Sequence, residues 1–294
     1  MRRRSLGGAL FQTCNITFLM LLSMVTLYPF LNLLAISLNE SLDTLRGGIH
    51  IVPRAFTLTN YELIFQNPRL FTAAWLSVAR TVLGTVLSVG ATIMVAYTLS
   101  RREYVLRKGL NAVIVVSMYV NGGIIPYYLL IKSLGLTNSF LVYIIPTLLV
   151  AFNVMIMRSY FEQLPEGLIE SAKVEGANEF QILMRVVAPV SLPVIATITL
   201  FVSVQHWNSW MDNFLFNSRE SLTLLQYELM KILLHSTEQI NATPGNVDDA
   251  LMRMTTPQSI RATMTIIVTV PILFVYPFMQ KYFIKGMTLG AMKE

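Results

Sequence analysis

Charge is what this sequence has least of. Only 13% of its 294 residues are Asp, Glu, Lys or Arg, whereas a soluble domain carries about 25%. Scattered uncharged polar residues do not account for that deficit. Long uncharged stretches do, and 54% of the chain is hydrophobic. Cysteine is nearly missing as well: Cys14 stands alone, which excludes an intrachain disulfide and a thiolate metal cluster. His50, His206 and His235 are far apart, with no HExxH-like spacing, and this argues against a zinc hydrolase. There is no GxxxxGK(S/T) loop, so the chain is not expected to cradle ATP phosphates, and no metal or cofactor is expected on it. An intramembrane enzyme would need a buried acid/base or metal constellation, and none is visible.

The apolar stretches read as membrane spans. A transmembrane helix needs about 20 mostly apolar residues, and runs of that kind fall at 16–38, 71–99, 109–131, 140–158, 190–216 and 260–284. In lipid each must satisfy its own backbone hydrogen bonds, so all are expected to be helical. The expected fold is therefore an all-α integral membrane protein of about six transmembrane helices. Residues 1–15 form a cytoplasmic segment and 16–294 a single transmembrane domain. The basic start Met1–Arg4 mimics a signal peptide, but the first apolar run is too long for a signal core and lacks a small-residue cleavage site. It is read as a retained span.

A net charge of +6 would suit a nucleic-acid partner, but the basic residues flank apolar runs rather than lining a polar face. Membrane orientation explains them better, so the bilayer is expected as surroundings and nucleic acid is not. Arg2, Arg3, Arg4 and the short loop RREYVLRK (101–108) set the cytoplasmic side and put both termini there. Two outer segments follow, at about 39–70 and 217–259. The second holds SLTLLQYELMKILLHS (221–236), an amphipathic stretch that either caps the bundle or docks a partner, and ends near the turn signal TPGN (243–246).

The inner loop at 159–189 is longer than a bundle needs. Pro165 suits a first helical turn, Gly176 supplies the left-handed residue that ends a helix, and Asn178 with Gln181 makes a capping-box pattern. The spacing predicts a short helix, a sharp turn and a second helix leading into the fifth span. Glu166, Glu170, Glu175 and Glu179 make this knob acidic on the side where basic residues are the rule, which points to a protein partner rather than to anionic lipid. An interfacial helix with no partner is the blander reading.

ESAKVEGA (170–177) followed by VVAP (186–189) resembles the EAA loop of ABC importer permeases, whose pattern is E-A-A, three residues, G, nine residues, I-x-L-P. Glu170, Ala172, Gly176 and Pro189 fall at matching positions; Ser171, Val186 and Ala188 are small or apolar exchanges. AYTLSRREY (96–104), WNSW (207–210) and YPFMQKYFIKGMTLGAMK (276–293) are similar to the carbohydrate-uptake branch, above all to permeases of complex oligosaccharide and polysaccharide importers, a group that includes alginate importers. The resemblance implies the type I importer permease fold and a non-catalytic subunit coupled to a separate ATPase that carries ATP and Mg. It implies docking through Glu166, Glu170, Ser171, Ala172, Glu175, Gly176, Ala177 and Asn178. It also implies a second, different permease, two ATPase copies, an external solute-binding protein and an oligosaccharide substrate. Transport of another solute class is an alternative. So is a self-sufficient secondary transporter, but that would show inverted repeats and midspan acids.

Sugars are held by aromatic faces and hydrogen-bonding side chains. The fifth span offers Gln205, His206, Trp207, Asn208, Trp210, Asp212 and Asn213. Asn208 and Asp212 are four apart, hence on one helical face with Gln205 near it. They line the pathway, or the tryptophans belong to an interfacial belt. Arg80 begins a stripe of small residues, Gly84, Ser88, Thr92 and Ala96, that fits close packing against another helix, such as one of the partner permease. Arg80 itself then snorkels, pairs with a buried acid, or meets an acidic sugar. Asn121, Gly122 and Gly123 break the third span before Pro126, beside Tyr119, Tyr127 and Tyr128. Asn121 and Tyr127 are candidate pathway residues, with core packing the competing role for the tyrosines.

Overall fold

The structure, a computed structural model, describes residues 6–238 and 256–291. Its described residues are helical but for turns and one isolated bridge between Asn39 and Phe56. They fall into two compact units, Met1–Pro68 with Lys231–Val270, and Arg69–Met230 with Pro271–Glu294.

The first unit begins with α1 (Leu6–Ser37), whose apolar side chains stay exposed along most of its length. A helix that is apolar all round belongs in a membrane or a protein core. Beyond it lie α2 (Ser41–Thr44) and α3 (Thr59–Phe65), held by polar contacts. The Asn39 Oδ1 accepts the N–H groups of Arg54 and Ala55, both at 2.8 Å, and the Asn39 Nδ2 donates to Asp43 at 3.1 Å. Asn60 donates to the carbonyls of Ser37 and Asn39 and accepts from Ser41. Buried amides with this many partners fix a loop that has little apolar area to bury.

The second unit is built on α4 (Pro68–Ser100), 33 residues without an internal proline. Its stripe Gly84, Ser88, Thr92 and Ala96 is buried within the chain itself. The third span is broken as expected. α5 (Arg107–Tyr119) ends before Asn121, Gly123 takes φ +86°, and α6 (Ile124–Ser133) carries Pro126 in its first turn. The fourth span differs from a continuous 140–158 helix. Residues 140–143 and 145–147 are short 3-10 turns, and regular helix resumes only at α7 (Ala151–Phe161), with a 46° bend between them. Pro146 lacks an N–H, and its ring crowds the carbonyl four residues back, so an α-helix cannot pass through it undisturbed.

The knob in the 159–189 loop comprises α8 (Glu166–Val174) and α9 (Glu179–Ile182). A π turn over 183–187 follows, then α10 (Ala188–Val190) and α11 (Leu192–Asn208), across an 87° bend. α12 (Met211–Phe216) is separate from α11. The core packs Ala96, Tyr97 and Leu99 of α4 with Val154, Met157 and Phe161 of α7. Ile169 and Ala172 of α8 and Val194, Ile198 and Val202 of α11 complete it. The amphipathic stretch 221–236 forms α13 (Leu225–Glu238), starting four residues later than the pattern suggests. Its entrance is tied down: Tyr143 donates to the Leu222 carbonyl at 2.6 Å, and Asn213 and Ser77 accept the Leu224 and Leu225 N–H groups at 2.7 and 2.9 Å. TPGN lies outside the described residues. The last helix, α14 (Pro257–Ala291), includes Pro271 and Pro277.

Among the described residues three helical stretches are long and apolar enough to cross a membrane: Leu10–Ser37, Pro68–Ser100 and Pro257–Val275. Counting each of two bent pairs, Phe140–Thr147 with Ala151–Phe161 and Glu179–Val190 with Leu192–Asn208, as one span brings the number to five by length and composition.

Candidate functional site: a docking knob and a broken helix

The knob's turn is closed by local chemistry. Gly176 sits at φ +82°, the Ala177 N–H donates to the Ala172 carbonyl and the Gly176 N–H to the Lys173 carbonyl, both at 3.0 Å. This pair of bonds is a Schellman motif, which favours glycine at the left-handed position. Two residues on, the Asn178 Oδ1 accepts the Gln181 N–H at 2.9 Å and the Gln181 Oε1 accepts the Asn178 N–H at 3.0 Å, completing the capping box. The backbone is thus fixed at both helix ends flanking the turn.

The residues assigned to docking divide by face. Ala172 is buried with Ile169, three residues away, and Ala177 packs against the same core. Both are small because the knob lies close to the bundle there, so their contribution is to seat the knob. Glu170, Ser171, Glu175, Gly176 and Asn178 face outward, beside Val174 at 89% and Phe180 at 64% exposure. Glu166 pairs with Arg102 at 3.6 Å. Among the described residues Glu170 and Glu175 make no ion pair or side-chain hydrogen bond. An exposed apolar pair rimmed by uncommitted carboxylates is a surface suited to a protein partner.

Behind this face, charges tie the knob to the end of α4. The Lys173 Nζ lies 2.9 Å from Glu103 and 3.1 Å from Glu179, and the Tyr97 hydroxyl donates to the other Glu179 oxygen at 2.6 Å. Bonding to Glu103, reinforced by Glu179, holds the Lys173 ammonium above its usual range. Alongside, Glu162 of the 159–189 loop receives Arg107 at 2.5 Å and Arg158 at 2.8 Å.

The second site is the interruption at WNSW. α11 stops at Asn208, because Ser209 is extended at ψ 126° and the chain turns before α12. Asn208 and Asp212 therefore do not share a helical face, which corrects the expectation drawn from their spacing. Asn208 instead lines an open cleft of about 690 Å³ with Gln205, Ser209, Leu200, Phe201, Val204 and Ile272. Its Oδ1 accepts a bond from Gln226 at 3.0 Å.

Asp212 turns away from that cleft's lining to meet Arg80. The Arg80 guanidinium, 1% exposed, forks onto both Asp212 oxygens, donates to the Ser209 carbonyl at 3.0 Å and lies 4.8 Å from the centre of the Tyr143 ring. Of its open roles, pairing with a buried acid is the one the structure supplies. One step along α4, an added Cβ at Gly84 would stand 2.6 Å from the His206 ring. At Gly84 the small-residue stripe thus meets α11 of the same chain, and its other members are buried within this chain without a second subunit.

The remaining candidates are dispersed. Trp207 is buried beside His206, and Trp210 tilts against Phe214 with ring centres 6.3 Å apart. Tyr127 and Tyr128 grip Phe216, edge-on at 5.5 Å and stacked at 5.8 Å. Asn121 is exposed in the helix break and accepts the Gly123 N–H at 2.9 Å. Tyr143, Ser77 and Asn213 were not singled out from sequence for the contacts they make. The spacing of Ser77, Arg80 and Gly84 along one face of α4 was the available signal for the Ser77 contact.

Comparison with known proteins decides the family. The model for the binding-protein-dependent transport system inner membrane component matches residues 1–289. The chain belongs to that family. This permease is 36% identical over 288 residues to protein LplC of Bacillus subtilis, covering 98% of this chain and 96% of that protein. It is 35% identical over 277 residues to the polygalacturonan/rhamnogalacturonan transport system permease protein YtcP of Bacillus subtilis, covering 94% of this chain and 96% of that protein. Among solved structures it matches a chain from the crystal structure of a bacterial ABC transporter involved in the import of the acidic polysaccharide alginate. The TM-score is 0.87 and the identity 26%, covering 96% of this chain and 100% of that one. The permease therefore has the all-α type I importer fold and is a multi-pass inner-membrane subunit of a transporter. A self-sufficient secondary transporter is not favoured.

Proposed function

We propose that this permease forms part of the translocation path for an oligosaccharide, most specifically a fragment of an acidic polysaccharide, in an ATP-driven importer. Its knob, with Glu170, Ser171, Val174 and Glu175 outward, docks a separate ATPase that binds ATP and Mg. The full assembly has a second, different permease, two ATPase subunits and an external solute-binding protein. Both termini, loop 101–108 and the 159–189 loop are cytoplasmic, the 217–259 segment is outside, and residues 16–294 work as one transmembrane domain. Gln205 and Asn208 present amides to sugar hydroxyls in the cleft beside the α11–α12 break.

The observation that carries this reading is the rigid knob whose outward face combines exposed Val174 and Phe180 with uncommitted carboxylates. The sugar assignment is supported by the alginate importer and the polygalacturonan/rhamnogalacturonan permease it resembles. The test is the reconstituted importer with its binding protein, assayed for ATP hydrolysis against oligogalacturonates, alginate fragments, neutral oligosaccharides, amino acids and peptides. Stimulation by uronate oligomers is expected; stimulation by non-sugar solutes alone overturns the substrate class. For docking, Glu170→Lys should reduce co-purification of the ATPase, and unchanged recovery counts against that face.

A further inference from the structure

Two physical routes lead from the knob to the cleft. The covalent one runs through the π turn at 183–187 and the 87° bend around Ser191 into α11. Pro189 and Pro193 flank that bend, and the Ser191 hydroxyl is buried without a partner. A π turn and a proline bend are places where a helix yields. Displacement entering there is absorbed in the joint.

The second route is through space. Lys173 on α8 contacts Glu103 just past α4, and Glu179 on α9 receives the Tyr97 hydroxyl from α4 itself. Lys173 and Glu179 are bonded to each other at 3.1 Å, so both helices of the knob reach α4 through one cluster. Arg101 lies 5.2 Å from the centre of the Tyr97 ring and adds a cation to the same corner. From Tyr97, α4 runs uninterrupted to Arg80, about 26 Å away at 1.5 Å per residue. There the Arg80 guanidinium holds Ser209 and Asp212 across the break beside the cleft. An unbroken helix gripped at both ends transmits displacement better than a jointed one.

We infer that Tyr97, Lys173 and Glu179 are positioning residues that lock the knob to α4, and that α4 carries knob movement to the Arg80–Asp212 junction at the cleft. This link presupposes the docking role proposed above. It adds the route by which docking acts and the side chains on which that route depends.

The experiment uses the complete importer in proteoliposomes and reads solute moved per ATP hydrolysed. Tyr97→Phe keeps the ring in the core and removes only the hydroxyl bound to Glu179. Lys173→Met keeps the stem and removes the charge; Lys173→Arg keeps the charge. A purely structural loss lowers the amount of active complex, so transport and hydrolysis fall together and their ratio stays constant. The expected result is that Tyr97→Phe and Lys173→Met retain the ATPase at wild-type stoichiometry while the ratio falls about fivefold, the lower end of ordinary coupling energies. Lys173→Arg should stay near wild type. A wild-type ratio in both Tyr97→Phe and Lys173→Met overturns the inference, because apolar packing alone would then carry the motion. Loss of the ATPase from both variants also overturns it, since the residues would then belong to the docking surface. Failure of the docking role is read separately, from Glu170→Lys on the outward face.

Discussion

The knob and the helix break of the second unit are both held by ion pairs, yet they differ in burial. At the knob Lys173, Glu103, Glu179, Arg102 and Glu166 bond at or near the surface, where several weak contacts share the load. At the break a single pair, Arg80 with Asp212, is enclosed by Tyr143 and the Ser209 carbonyl. Exposed pairs are worth about 0–1 kcal/mol each. A buried pair is weak evidence for stability as a whole, but removing one partner strands a desolvated charge and costs about 3–5 kcal/mol. The knob can therefore be adjusted one contact at a time, whereas the junction at the break is all or nothing.

The largest effect should come from Asp212→Ala. Arg80 keeps the Ser209 carbonyl but loses its counter-charge, and destabilisation by about 3–5 kcal/mol is expected from the stranded guanidinium. Thermal unfolding of the purified complex in detergent measures it. Adding Arg80→Met should recover much of the loss, because the charge is removed with its partner. A single mutant as stable as wild type would erase the contrast between the knob and the break.

Next come the α4 glycines, which sharpen the comparison within one helix. Gly84→Ala drives a methyl into the His206 ring, so about 1–3 kcal/mol of overpacking strain is expected. At Gly90 an added Cβ meets nothing within 4 Å, and Ala should instead stabilise the helix by about 0.5–1 kcal/mol. Equal unfolding temperatures for the two variants would remove the close approach of α4 and α11 from the account.

At the knob, Gly176→Val places a β-branched residue at φ +82° in otherwise open space. The left-handed conformation costs an L-residue about 1–2 kcal/mol, so the turn rather than the bundle should give way. The complex is expected to assemble in the membrane with substrate-stimulated ATP hydrolysis reduced severalfold. Normal stimulation would show that the turn geometry is dispensable for coupling.

These regions also differ in how far the sequence could be read. Gly176, Asn178 and Gln181 act on backbone within three residues of themselves, so the knob's turn and cap were legible from spacing alone. Arg80 and Asp212 stand 132 positions apart, and nothing in either neighbourhood names the other as partner. The Asn208–Asp212 expectation failed because it assumed an unbroken helix, whereas Ser209 is extended. Pro146 is a residue that can interrupt a helix, but the 3-10 turns around it depend on packing that no local pattern encodes. Ala172 was matched by resemblance to a docking motif, whereas the structure buries it beside Ile169, a packing that a motif match does not report.

The smallest effect expected is at the edge of the knob's charge network. Arg102 approaches Glu166 at 3.6 Å with both side chains largely exposed, at 82% and 66%. Water and salt screen such a pair, and ordering two long side chains offsets much of its attraction. Arg102→Ala should therefore change stability by less than about 0.5 kcal/mol and leave transport per ATP unaltered. It stands on the same loop as Glu103 and contacts the same helix as Lys173, so it samples the same surface without the Tyr97–Glu179 cluster. Unfolding curves and the transport ratio, compared with those of Lys173→Met at the same salt, provide the measurement. If Arg102→Ala uncouples as strongly as Lys173→Met, the loop acts as one charged patch and the specific cluster behind the knob loses its separate role. If only Lys173→Met uncouples, a few ångströms of placement decide which surface charge is part of the link.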